Sequence, residues 1–241
     1  MLCDAAAGYE YKAISNPGGL LPIGEPFGLG EEKEGGIWDY DEAGKSKRTG
    51  SMVSAAAQAY HARTGRRIVG VSASVGGSDT VSWKQVYLAD ALERLERAKG
   101  FLAENRFAVD RIWVVWCQGE SDGDAGRTGE DYMANVREIF QAFRAQGAEK
   151  CFLVQIGHYN YVKYPGGAGQ LTGLEWDRRY EVIRNAQAAL CREEDFILAG
   201  SFAPYLQEMK DDYHYHQRAY NLVGEAVGSA MADYVEAPPV R

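Results

Sequence analysis

From residue 51 onward, hydrophobic and polar positions alternate between helical and extended periods. Residues 51 to 64, SMVSAAAQAYHART, are alanine-rich and high in helix propensity, and Gly65 is placed to end them. A short β-rich run, RIVGVSAS (67 to 74), follows and ends at VGGSD. Between 85 and 105, Leu88, Leu92, Leu95 and Leu102 recur at the helical spacing. RIWVVWC (111 to 117) is again extended. Residues 130 to 146 return to helix, with Val136, Ile139, Phe140 and Phe143 on one face and Gly147 as the stop. CFLVQIG (151 to 157) predicts a third strand, and Trp176, Tyr180, Ile183, Gln187 and Leu190 mark one face of a third long helix. A strand at FILAGSF (196 to 202) and a helix over about 217 to 234, spaced by Tyr220, Val223, Val227 and Met231, complete the pattern.

Strands alternating with helices imply right-handed crossovers and a parallel sheet covered on both faces. The expected fold is therefore α/β, a three-layer α/β/α sandwich over residues 1 to 241 as a single domain. The first 50 residues read as loop-rich, and the segment 16 to 36, dense in Gly and Pro, reads as a long surface loop. In such sheets ligands bind at the carboxyl ends of the strands. Three of those ends carry unusual chemistry: SVGGSDTVSW, QGESDGD and, shortly after the last strand, DDYHYHQ.

Composition narrows the functional classes. A hydrophobic content of 46% over 241 residues supports a sizeable core. A net charge of −8 argues against a nucleic-acid surface, which needs a basic face to neutralise phosphates. No stretch approaches the ~18 consecutive apolar residues of a membrane span, and the first residues show no export signal. Cys3, Cys117, Cys151 and Cys191 include no C-x-x-C pair and read as buried or incidental thiols. No metal site is expected: His214 and His216 sit two apart on a loop, without a third ligand at a recognisable spacing.

The three strand ends suit acyl transfer. A tetrahedral intermediate needs donors aimed at its oxyanion, and Gly76, Gly77 and the amide of Gln118 are candidates. His214 is the candidate general base, with Asp211 three residues earlier to hold its tautomer; Glu120 is a second carboxylate that suits the same task. His158, just after a strand, reads as a satisfied polar residue with substrate contact as the alternative, and His61 as a surface residue on a helix.

VGVSASVGGSDTVSW, WVVWCQGESDG and DDYHYHQRAYNLVGEA, in this order, resemble the SGNH hydrolases, in their carbohydrate-esterase branch of sialate O-acetylesterases and acetylxylan esterases. The matching residues are Gly76, Gly77, Ser78 and Trp83; then Trp116, Gln118, Gly119, Glu120, Ser121 and Asp122; then Asp211, His214 and Tyr215. Arg184 and Gln187 also fit the branch, and the resemblance runs over about residues 50 to 232. It implies a flavodoxin-like sheet and removal of acetyl groups from a carbohydrate through a serine acyl-enzyme. No cofactor is implied, nor any nucleic-acid or membrane partner, though related esterases are often secreted or periplasmic.

One block of that family is missing from the 241 residues: the G-Q-S-N tetrad at the end of the first strand, whose serine is the nucleophile. Ser72 and Ser74 are near misses to G-x-S-x-G, but they lie on the strand that matches a different block. Ser121 lies inside the oxyanion-donor loop. The expectation is instead that MLCDAAAGYEYKAISNPGG corresponds to sequence downstream of the tetrad, and that the nucleophile lies upstream of this chain. The strand that bears it is central in a flavodoxin-like order, so the remaining strands must close up or leave a gap bordered by unpaired backbone. The rival readings are a carbohydrate-binding protein that kept the cleft without the serine, and an unrelated α/β hydrolase that uses Ser72 or Ser74.

Overall fold

The computed structural model describes residues 51–167 and 169–237, together with the backbone of two short strands at 9–11 and 20–22. The order is β1 (Tyr9–Tyr11), β2 (Leu20–Pro22), α1 (Val53–Thr64), β3 (Gly70–Val71), α2 (Thr80–Ser82), α3 (Leu88–Glu104), β4 (Ile112–Cys117), α4 (Glu120–Asp124), α5 (Gly129–Ala145), β5 (Ala148–Gln155), α6 (Gly173–Leu190), β6 (Phe196–Ser201) and α7 (Gln217–Glu236). A π-helical turn, Trp83–Tyr87, joins α2 to α3, so that helix starts five residues before the leucine spacing announces it.

Strands β4, β5 and β6 form a parallel sheet in that order, with Val114 opposite Cys151 and Phe152 opposite Ile197. Cys151 to Val154 are fully buried, as a strand covered on both faces requires. Phe152 and Val154 pack on one side with Ala56, Tyr60, Val223, Val227 and Met231 of α1 and α7. Cys151 and Leu153 pack on the other with Val136, Ile139, Phe140, Tyr180, Ile183 and Leu190 of α5 and α6. This is the three-layer sandwich expected. The helix ends are capped as their sequences suggest: Gly65 adopts a left-handed conformation and donates to His61 O, and Thr172 and Glu175 make a capping box at the start of α6. No helix among the described residues is long and apolar enough to cross a membrane.

Two expectations need correction. Leu20–Pro22 lies within the segment read as loop, yet it pairs antiparallel with β1. The strand expected over 67 to 74 is only Gly70–Val71, paired in parallel with β1. Its shortness has a physical cause: a strand extends only as far as a neighbour pairs with it, and among the described residues β3 has a neighbour on one side alone. Among the described residues β3 and β4 do not pair, and the sheet is split into β2-β1-β3 and β4-β5-β6. A cavity of about 340 Å³ lies between the halves, lined by Gly70, Val71, Trp113, Val115 and Cys117 among others. Of the two alternatives, closing up or leaving a gap, the described strands leave a gap. The remainder of the 16 to 36 loop lies outside the described residues.

Candidate active site

The loops after β3 and β4 are stapled together by buried polar groups. Asp122, 0% exposed, accepts from Thr80 N at 2.9 Å, Thr80 Oγ1 at 2.6 Å and Gln118 Nε2 at 2.6 Å, and it pairs with Arg127 Nε. Arg127 also reaches Asp79 at 2.6 Å. A buried carboxylate is tolerable only when so many donors surround it. Ser78 closes the same knot: its hydroxyl donates to Val75 O and accepts from Trp83 Nε1, and its carbonyl accepts from Gln118 Nε2 at 3.1 Å. The Ser78, Trp83 and Asp122 positions of the motifs are thereby accounted for as scaffold.

Both protons of the Gln118 amide are spent in this knot, so the oxyanion role expected of that side chain has no free N–H to serve it. Gly76 and Gly77 remain. Both are exposed, Gly77 sits at a φ of 69°, and among the described residues neither N–H has an intramolecular partner. Glycine at 77 is what permits that left-handed turn.

A second set of contacts joins the ends of β4 and β5. Gln187 donates to Gln118 O at 3.0 Å and accepts from Ile156 N at 3.0 Å, and Tyr132 Oη donates to Gln118 O at 2.8 Å. Gly119, at a φ of 156°, lets the chain turn here: a Cβ would stand 2.8 Å from Ile183 Cγ2 and 3.1 Å from Ile156 Cγ2. One turn away on α6, Arg184 donates to Gly157 O at 2.7 Å and pairs with Asp177. Asp177 in turn accepts from His158 Nδ1 at 2.9 Å and from Tyr159 N at 3.1 Å. His158 is thus a satisfied polar residue whose ring is held by a carboxylate. Sequence reasoning passed over Asp177, which is 19 residues from His158 and carries no motif signal.

The loop before α7 brings the expected base and one carboxylate together. Asp211 Oδ2 lies 2.9 Å from His214 Nδ1, and Asp211 Oδ1 accepts from the backbone N–H of Tyr213 and of His214 at 2.9 and 2.6 Å. Burial opposes ionisation of Asp211, but the imidazole and the two N–H groups outweigh it and hold its carboxyl at about 2. The hydrogen bond to Asp211 raises His214 in turn, with burial acting against it. With Nδ1 turned to the carboxylate, Nε2 carries the lone pair; it has no hydrogen-bond partner among the described residues, and the side chain is 56% exposed.

Glu120 stands near enough for its charge to act on His214, and His214 on it, but Asp211 rather than Glu120 bonds the imidazole. Burial raises Glu120 above the ordinary carboxylate range, and the charge of Asp124 adds to this. Asn160 ties the post-β5 loop to the Asp211 loop through Asp211 O and Asp212 O. No serine among the described residues is hydrogen-bonded to His214. Ser72, Ser74, Ser78 and Ser121 are all described, so none of them completes a triad here.

The layered sheet, with an imidazole and carboxylate at the carboxyl edge of its strands, defines the class: an α/β/α hydrolase fold of SGNH type. The profile of the carbohydrate esterase, sialic acid-specific acetylesterase family matches residues 33–233, and the chain belongs to that family. A protein of Arabidopsis thaliana solved by X-ray crystallography superimposes with a TM-score of 0.50 at 17% identity, covering 73% of this chain and 66% of that one. At that identity the likeness concerns the fold, and the chain spans just under two thirds of the plant protein's length. No curated protein matches the chain in sequence.

Proposed function

We propose that this protein supplies the base and oxyanion machinery of a carbohydrate acetylesterase that works through a serine acyl-enzyme, with His214 as general base, Asp211 as the carboxylate that orients it, and Gly76 and Gly77 as oxyanion donors. The observation that supports this reading is the His214–Asp211 pair, whose Nε2 has no hydrogen-bond partner among the described residues. In the proposed reaction Nε2 takes the proton of a serine hydroxyl as the oxygen attacks the acetyl carbonyl. The oxyanion rests on backbone N–H groups, and the sugar hydroxyl leaves with the proton that His214 returns. Water then repeats the sequence on the acetyl-serine and releases acetate.

The serine is assigned to the G-Q-S-N block, which these 241 residues do not contain, since none of Ser72, Ser74, Ser78 and Ser121 is hydrogen-bonded to His214. That same observation favours a second reading, a carbohydrate-binding protein without turnover.

The two readings separate with a fluorophosphonate probe and 4-methylumbelliferyl acetate. The 241-residue chain is expected to form no covalent adduct. A form extended with the in-frame upstream sequence is expected to label on one serine and to hydrolyse the ester, and His214→Ala in that form to lose at least about 10³-fold in kcat/KM. A stop codon close upstream, or an extended form that binds acetylated sugar without turnover, would establish the binding protein instead. Labelling of the 241-residue chain at Ser72, Ser74, Ser78 or Ser121 would overturn the assignment of the nucleophile.

A further inference from the structure

Two imidazole–carboxylate pairs stand beyond the ends of the strands. His158 follows shortly after β5, and its Nδ1 lies 2.9 Å from Asp177 Oδ2, the same separation as between His214 Nδ1 and Asp211 Oδ2. Asp177 already has other partners: Arg184, seven residues on along α6, reaches it at 3.1 Å, and Tyr159 N donates to it at 3.1 Å. Burial opposes its ionisation, but His158 and Arg184 together hold its carboxyl below the ordinary carboxylate range. The carboxylate is stable without the imidazole, so what the contact does is act on the ring. It keeps the proton on Nδ1 and leaves Nε2 as an acceptor of fixed direction, on a side chain that is 24% exposed.

The two pairs adjoin. Asn160 Nδ2 donates to Asp211 O at 3.0 Å, and the Tyr215 hydroxyl fills the space beside Gly157, where a Cβ would lie 1.6 Å from it. His158 and His214 are thus each one residue away from the same contact. Tyr161 stands edge-on to the His158 ring at 6.1 Å, and Val162 and Leu174, which flank the contact of Tyr161 with Gly173, are each 57% exposed.

A directed acceptor beside apolar and aromatic surface suits few ligands. A metal ion would need further ligands, and no group of three His, Cys, Asp or Glu able to hold one occurs among the described residues. A pyranose has what the place takes, hydroxyl donors around its edge and C–H groups on its faces. We propose that His158 is a substrate-binding residue whose Nε2 accepts a hydrogen bond from a hydroxyl of the sugar while the ester lies at His214. That the sugar carries the ester rests on the esterase reading; the contact with its hydroxyl does not.

The test uses the 241-residue chain with nitrogen-15 in its four imidazoles, each read by long-range proton–nitrogen NMR in mildly alkaline buffer. The probes are a mono-O-acetylated methyl β-D-xylopyranoside, the methyl glycoside of O-acetylated N-acetylneuraminic acid, and methyl acetate as an ester without a sugar. Free His158 is expected to carry its proton on Nδ1. At least one glycoside is expected to move the His158 Nε2 resonance saturably, and methyl acetate to leave it in place; which glycoside does so separates a neutral sugar from an anionic one. His158→Asn keeps a donor to Asp177 but has no atom where Nε2 stood. It is expected to weaken that glycoside about three- to tenfold, as the loss of one hydrogen bond does, with the affinity read from the backbone amides of Gly157 and Tyr215.

A proton on Nε2 in the free chain would overturn the proposal. So would a His158 ring that neither glycoside moves, or a His158→Asn chain that binds the sugar as the unaltered one does. Should His158→Asn unfold, the Nε2 resonance of the unaltered chain decides alone. No readout uses turnover, so a His158 that responds to sugar in a protein whose nucleophile-bearing form hydrolyses nothing would sink the esterase reading and keep this contact. Turnover of 4-methylumbelliferyl acetate with a silent His158 would do the reverse.

Discussion

His214 and Asp211 make a pair whose behaviour with pH is determined by direction alone. The hydrogen bond to Asp211 raises His214 above its ordinary 6.5, and this folded-state gain is complete below that value and lost as the pH climbs through the raised one. Asp211 runs the other way: its contribution is complete above 3.8 and lost as the pH falls through about 2. Both side chains are partly exposed, so solvent weakens what the pair adds to stability. The sharper consequence concerns catalysis, because only neutral imidazole accepts a proton. Titration of the His214 ring protons by NMR is expected to give a midpoint above 6.5 in the 241-residue chain, and Asp211→Asn to lower it. In a form that carries the nucleophile, the same substitution should shift the acid limb of kcat/KM to lower pH while cutting its plateau by up to about 10⁴-fold. A midpoint that does not move in Asp211→Asn would detach Asp211 from the base.

Helix α6 governs the site from behind, through side chains one turn apart that hold the ends of β4 and β5. Gly119 lies under this grip. Gly119→Ala places a Cβ against Ile183 and Ile156 in a backbone region that L-residues avoid, and is expected to cost about 2 to 4 kcal/mol in urea unfolding. Gly76→Ala, whose Cβ would meet nothing within 4 Å, should stay within about 0.5 kcal/mol. Equal losses at the two positions would refute the crowding at Gly119. These elements differ in how plainly the sequence announced them. The faces of α5, α6 and α7 were legible because each repeats an apolar stripe, and β5 because both of its sides are buried. β3 was overdrawn, since RIVGVSAS has the composition of a longer strand but the described structure gives it one neighbour. The Gln118 amide looked like an oxyanion donor because QGESD does not disclose that Asp122, four residues on, and Ser78, on a loop 40 residues away, take both its protons. The His214–Asp211 pair was readable at a separation of three residues, whereas Asp177 was hidden because its partner is distant in sequence.

At the scale of the molecule, chain order and spatial order diverge most between α1 and α7. The two helices pack with backbones nearly in contact: a Cβ on Gly228 would lie 2.2 Å from Ala56 O, and one on Gly224 2.4 Å from Met52 O. The alanines of α1 offer little apolar surface to any other partner, and a 12-residue helix is marginal by itself in water. About 150 residues separate the end of α1 from the start of α7. On a ribosome adding ~5–20 residues per second, α1 waits roughly 10 to 30 seconds for the surface it needs. Until then the sheet face that α1 and α7 cover together lacks its second helix. Nascent chains stalled at increasing lengths should therefore keep α1 open to protease until α7 has cleared the exit tunnel, and lose that sensitivity in one step; gradual protection from shorter lengths would mean that α1 finds another partner first.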